Sequence, residues 1–161
     1  MKLSTREDIA VPIADVFAHI SDFGEFERRA MRRGAEISRI DPPAGPGEGS
    51  KWEALFTFRG KERKVKAKVD TLAAPETLTV GSKSGGLDGT FEVRLVALSP
   101  SKTRMIVGLE LKPTNLSARL LVQSLKLAKG TLTDRFSKAV TDFAKGLEVS
   151  HNGAQPRMTL G

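Results

Sequence analysis

Apolar and polar positions along the chain change period twice, and the changes mark its elements. Residues 2–11 alternate, with Leu3, Thr5, Glu7, Ile9 and Val11 against Lys2, Ser4, Arg6 and Asp8, which predicts a two-sided strand. Pro12 opens a new element, because proline suits the first turn of a helix. Ile13, Val16, Phe17 and Ile20 then recur at helical spacing and predict a short helix over 13–20. Asp22 can cap a second helix, with Phe23, Phe26 and Ala30 on one face and Gly34 ending it. Alternation returns in a strand at 35–41 that stops at Asp41-Pro42-Pro43, and AGPGEGS (44–50) is a turn by composition. Trp52, Ala54, Phe56 and Phe58 share one face of the next strand, and Arg59-Gly60-Lys61 is a tight hairpin connection. Val65, Ala67, Val69 and Thr71 alternate with Lys64, Lys66, Lys68 and Asp70 in the cleanest period-two run of the chain. After a turn at Ala74-Pro75-Glu76, Leu78 and Val80 face inward in a short strand, and GSKSGGLDG (81–89) reads as a flexible loop. Two more strands carry Phe91, Val93 and Leu95, then Met105, Val107, Leu109 and Leu111. Strands of this kind joined by short turns form an antiparallel meander.

The last third changes to a helical period. Leu121, Leu125, Ala128, Leu132, Phe136, Ala139 or Val140, Phe143 and Leu147 step by three and four behind a cap at Thr114 or Asn115. A single helix over 115–147 would be about 50 Å long, against roughly 40 Å for a compact domain of this size, so it overhangs or bends. Gly130 is the expected place to bend. Residues 1–148 therefore read as one domain, and the unpatterned 149–161 as a flexible tail. The class is α+β: a curved antiparallel sheet of about seven strands wrapped around a long C-terminal helix, with two short helices after the first strand.

The same order, with Ile9-Ala10-Val11-Pro12-Ile13-Ala14-Asp15-Val16-Phe17, then Ile20-Ser21-Asp22, and Gly49-Ser50-Lys51-Trp52 leading into the third strand, resembles the START-like helix-grip (SRPBCC) superfamily. That group contains polyketide cyclases, lipid-transfer proteins and coenzyme-Q-binding proteins. The resemblance covers about residues 2–148 and rests on structural turns and packing residues. It implies a cavity between sheet and long helix holding an apolar or amphipathic ligand. On this reading the lining would come from Trp52, Phe56, Phe58, Val65, Val69, Phe91, Val93, Leu95, Met105, Val107 and Leu109 of the sheet and Leu121, Leu125, Leu132 and Phe136 of the helix. Arg63, which shares a face with Val65, and Thr71 are the candidate inward polar handles, the alternative for Arg63 being to snorkel out to solvent. The same side chains could equally fill a solid core at full packing density.

Composition removes most chemistry. With no Cys there are no disulfides, thiolate metal sites or thiol catalysis, and with two His there is no three-His centre. No metal or other cofactor is expected. His19 sits near Asp15, Ser21 and Asp22, yet it falls at the edge of the apolar face and no oxyanion nest accompanies Ser21, so an exposed helix histidine is expected. His151 falls in the tail, where nothing would orient it. Glu7/Asp8, Glu25/Glu27 and Asp134 with Asp142 are paired carboxylates, none on a predicted apolar wall. No run of about 18 apolar residues and no secretory stretch is present, and a cytoplasmic protein is expected.

Charge is unevenly spread. The 161 residues carry a net +7, of which residues 59–68 hold +5 and residues 28–39 hold +4. A solvated outer face with edge-strand lysines explains this, as does docking of Arg28, Arg29, Arg32, Arg33, Lys64, Lys66 and Lys68 to an anionic membrane surface or an acidic protein. Nucleic acid is a poorer partner, because no aromatic residues interleave the basic positions for stacking. Three readings follow: binding or transfer of a small hydrophobic or lipid-like ligand; a cyclase- or dehydratase-like enzyme for an aromatic or polyketide-like substrate, using Arg63 or another inward polar group as its acid; and a basic docking module. No catalytic residue is assigned.

Overall fold

A computed structural model describes residues 1–154. Strand β1 (Lys2–Ile9) is followed by helices α1 (Ile13–Ile20) and α2 (Phe23–Arg32), then by strands β2 (Glu36–Ile40), β3 (Lys51–Phe58), β4 (Lys61–Ala73), β5 (Thr77–Ser84), β6 (Leu87–Ser99) and β7 (Lys102–Pro113), and finally by helices α3 (Leu116–Leu127) and α4 (Lys129–Ala154). The strands form one seven-stranded antiparallel sheet in the order β1-β7-β6-β5-β4-β3-β2. The expected class and architecture are present.

The core lies where α1 and α4 cover the β1, β7 and β6 side of the sheet. Ile9, Val69, Leu78, Val93, Leu95, Met105 and Val107 pack there against Val16, Phe17 and Ile20 of α1 and Val140, Ala144 and Leu147 of α4. Period-two alternation puts these strand residues on one face, and burying that face is what holds strands and helices together. Thr103 is buried too, and its hydroxyl donates to the Val11 carbonyl at 2.8 Å, which ties β7 to the turn before α1. Helix α2 is capped by Asp22, whose carboxylate accepts from Glu25 N, and Gly34 follows it at φ +91°.

Local expectations needed correction in several places. Strand β1 ends at Ile9 rather than 11, because Val11 N turns back onto Ile9 O at 2.8 Å; Val11 is nonetheless buried. Residues 81–89 are not a flexible loop. They complete β5 and start β6 around a two-residue turn, Gly85-Gly86, with both φ positive at 53° and 81°, the conformation that suits a tight hairpin. The C-terminal helix breaks at Ala128 and not at Gly130, which lies inside the first turn of α4. Ala128 has left helical geometry at φ −103°, ψ 18°, and its N–H closes the last turn of α3 on Leu125 O. Helix α4 then continues through 149–154, where a tail was expected; the remainder of that tail, 155–161, lies outside the described residues. A bulge between Val69 and Thr71 puts Thr71 opposite Thr79 and Leu72 opposite Leu78. Thr71 therefore faces outward and Leu72 inward, so Thr71 is no inward handle.

Candidate functional site

The half of the sheet away from the core has an incompletely covered inner face. Cross-strand register sets Trp52 opposite Ala67, Ala54 opposite Val65, Phe56 opposite Arg63 and Phe58 opposite Lys61, so all eight share that face. Toward the β3–β4 tip the wall opens: Phe56 is 36% and Phe58 37% exposed, while Val65 and Phe91 are half-buried. Leu121, Leu132 and Phe136 of the helices are also half-buried, and Leu125 is buried. Val69, Val93, Leu95, Met105 and Val107 lie within the core described above. Leu109 is half-buried, opposite Phe91. Apolar wall and solid core are thus two ends of one face.

The hairpin tip reaches the helices. Arg59, at φ +52°, and Gly60, at φ +72°, make the two-residue turn, and Arg59 Nη1 donates to Ser124 Oγ of α3 at 2.7 Å. Arg59 and Arg63 both hold their guanidinium carbons near the Phe58 ring, 5.5 and 5.9 Å from its centroid. Such contacts favour a cation over an aromatic face. Arg63 lies on the inner face, opposite Phe56. Its Nε is buried and makes no hydrogen bond, which is costly for a donor of this kind.

Polar groups that the sequence reading placed elsewhere also face inward. Trp52 Nε1 donates to Glu27 Oε2 at 3.0 Å, and Arg39 Nη1 donates to both oxygens of the same carboxylate at 3.1 and 2.9 Å. Arg39 Nε lies 3.1 Å from Asp41 Oδ1, and its guanidinium sits 5.7 Å from the Phe23 ring centroid. Glu27 was expected off the apolar wall, but Phe23, Glu27 and Ala30 are spaced i, i+4, i+7, which puts the carboxylate on α2's inward stripe. Alternation likewise sets Arg39 beside Ile37 on the inner face of β2, so it is not part of an outward basic surface. Glu7 is inward as well, its carboxylate accepting from Thr141 Oγ1 of α4.

The expected docking residues sit outside and are mostly engaged. Arg28, Arg29 and Arg32 surround Glu25 at 3.1 to 3.4 Å. Hydrogen bonds from Arg29 and then Arg28 hold the Glu25 carboxyl below the usual carboxylate range. Arg33 is exposed just past α2. Lys64 and Lys66 lie 3.7 and 3.8 Å from the Glu53 carboxylate. Two outer-face grooves of about 610 and 660 Å³ share Lys66, Lys83 and Asp88, and the larger also includes Lys68.

Both histidines depart from expectation. His19 is half-buried at the end of α1. His151 lies on α4, its Nδ1 3.9 Å from Asp15 Oδ2, oriented by the helix extension that pattern reading did not reach. Among the described residues no group of three or more His, Cys, Asp or Glu is placed to hold a metal ion, and no helix is long and apolar enough to cross a membrane.

No family model and no curated protein matches the sequence. Solved structures do match in shape. Protein TTHA0849 from Thermus thermophilus superposes with a TM-score of 0.64 at 12% identity, over 93% of this chain and 99% of that one. The Zhui aromatase/cyclase from Streptomyces sp. R1128 gives 0.63 at 12% identity, over 90% and 93%. A norcoclaurine synthase variant from Thalictrum flavum, in complex with a transition state analogue, gives 0.61 at 15% identity, over 89% and 95%. Sheet order, paired short helices and a C-terminal helix across the sheet together give this chain the helix-grip fold that these solved structures share.

Proposed function

We propose that this protein binds a small hydrophobic molecule between the open half of its sheet and helices α3 and α4. The observation that carries the reading is the mouth. Phe56 and Phe58 belong to the inward face of β3 yet stay more than a third exposed, on the same face as half-buried Val65, and the tip of their hairpin meets α3 through Arg59 and Ser124. Apolar side chains converging on a concave wall with few polar groups are what small-molecule sites are made of. Occupancy would remove that surface from water, at roughly 25 cal/mol per Å² of apolar area. The fold is compatible, since one solved neighbour is a cyclase and another holds a transition state analogue. Binding is favoured over catalysis because the inward carboxylates are engaged: Glu27 by Arg39 and Trp52, Glu7 by Thr141.

The experiment is titration with a neutral fluorescent probe such as Nile red, in the full chain and in Val65→Trp, which fills the wall. Saturable binding that the substitution abolishes, with the fold retained by circular dichroism, is the expected result. Absence of saturable binding to the parent protein would refute the reading.

A further inference from the structure

We infer that the molecule bound in this cup carries an anionic oxyanion head, a carboxylate or a phosphate, and that Arg63 receives it. This rests on the binding reading above and adds the chemical class of the ligand.

Arg63 is set on the inner wall by register: it faces Phe56 across the strand pair and shares its face with Lys61 and Val65. Its Nε is buried with no hydrogen-bond partner. A guanidinium has five N–H donors and cannot shed its proton, so a buried donor that is left unmet is an open demand for an acceptor. No carboxylate supplies one. Among the described residues, the ion pairs of this strand pair run from Lys64 and Lys66 to Glu53 on the outer face, and Arg63 takes part in none.

Its neighbours on the rim are also cations. Arg59 shares the Phe58 ring with Arg63 and hydrogen-bonds a neutral hydroxyl, Ser124 Oγ, while Lys61 is exposed opposite Phe58. Three positive side chains therefore gather at the apolar mouth with no acid paired to them among the described residues. A neutral ligand would leave that field uncompensated, whereas an oxyanion meets it with the planar fork geometry that suits carboxylate and phosphate. The apolar remainder of such an amphiphile would lie along Phe56 and Val65.

The test compares decanoate, decyl phosphate and decanol, all below their aggregation concentrations, by displacement of Nile red. The parent protein is expected to bind at least one of the two anions about tenfold or more tightly than the alcohol, the scale of one or two charge-assisted hydrogen bonds. Arg63→Met should erase that preference, so that the anions and decanol displace the probe to within about twofold of one another. Because Arg63 Nε makes no bond in the folded protein, Arg63→Met should melt no earlier than the parent, which separates lost recognition from lost folding. Arg63→Lys should keep a reduced preference, since an ammonium offers charge without the fork. The two anions compared with each other identify the head group. Binding of decanol without preference for either anion, or a preference that survives in Arg63→Met, would overturn this inference and leave the binding site standing. Failure of all three to displace the probe would overturn both.

Discussion

Removing the carboxylate of Glu27 tests whether the inward polar cluster holds α2 against the sheet. In the folded protein this side chain is 18% exposed and its partner Arg39 23%. Glu27→Ala deletes a two-point bond to Arg39 and the acceptor of the Trp52 indole N–H. Breaking a fully buried ion pair costs about 3–5 kcal/mol. Here Arg39 keeps Asp41 at 3.1 Å, so most of that penalty is relieved. The orphaned indole donor contributes about 1–3 kcal/mol. Together these give a loss of about 2–3 kcal/mol, or about 5–9 °C in melting temperature for a domain of this length. Glu27→Gln keeps an acceptor for Trp52 and gives up only charge, so its loss should be about 1 kcal/mol. Urea unfolding is the assay, followed by circular dichroism and by fluorescence of Trp52, the sole tryptophan. A Glu27→Ala protein within about 0.5 kcal/mol of the parent, the range of ordinary surface changes, would refute the account. So would a Glu27→Gln variant as unstable as Glu27→Ala.

Core and surface should separate sharply. Ile9→Ala, at a fully buried site, should cost about 2–5 kcal/mol, whereas Leu127→Ala, 93% exposed, should stay within about 0.5 kcal/mol in the same urea assay. Gly86→Ala should be destabilised by about 2–3 kcal/mol. It forces a Cβ onto a φ of +81° and into the Asn115 side chain, whose Oδ1 caps α3 at Ala118 N, so loss of helical circular dichroism should accompany unfolding. Acid should weaken the fold through its depressed carboxyls. Asp8 is lowered by its hydrogen bond from Arg104, Glu25 by Arg29 and Arg28, and Asp142 by Lys138. A depressed carboxyl stabilises fully above its unfolded pKa, near ~4, and that contribution disappears as pH falls through the lower folded value. Urea midpoints should thus fall between about pH 5 and pH 3, and Asp8→Asn should flatten that slope; an unchanged slope would count against the Asp8–Arg104 pair.

Elements defined by local period were legible in the sequence, and those defined by distant contact were not. The run Val65 to Val69 against Lys64 to Lys68 predicted β4 because alternation is a property of the strand alone. Thr71 was misplaced because the bulge that turns it outward arises in the pairing of β4 with β5. Gly81 and Gly89 suggested a loop by composition. In the sheet each lies where a Cβ would press on a neighbouring strand, at 2.6 Å from Asp70 Oδ2 and 2.5 Å from Ser82 Oγ, so the missing side chains serve close approach rather than flexibility. The helix break at Ala128 left no signal, since alanine is the best helix former and glycine at 130 was the visible weak point. At the site the apolar wall was readable from alternation and Arg63 from its place in that alternation. Glu27 could have been found from its helical spacing to Phe23. That Arg39 and Trp52 meet it depends on how α2 packs over β2 and β3, which no local pattern encodes.

The sheet order also constrains when the chain can fold as it is synthesised. Among the described residues, strand β1 pairs only with β7, from Lys2 opposite Glu110 to Ile9 opposite Thr103. The hairpins from β3 to β7 each close over short connections and can form as they emerge. The first strand and α1 have to wait with Ile9, Val16 and Ile20 uncovered until β6, β7 and α4, which bury them, have been made. Closing so long a loop is entropically slow. A nascent chain halted before Lys102 therefore presents an unpaired strand and an apolar helix together, the kind of surface that chaperones bind and aggregation exploits.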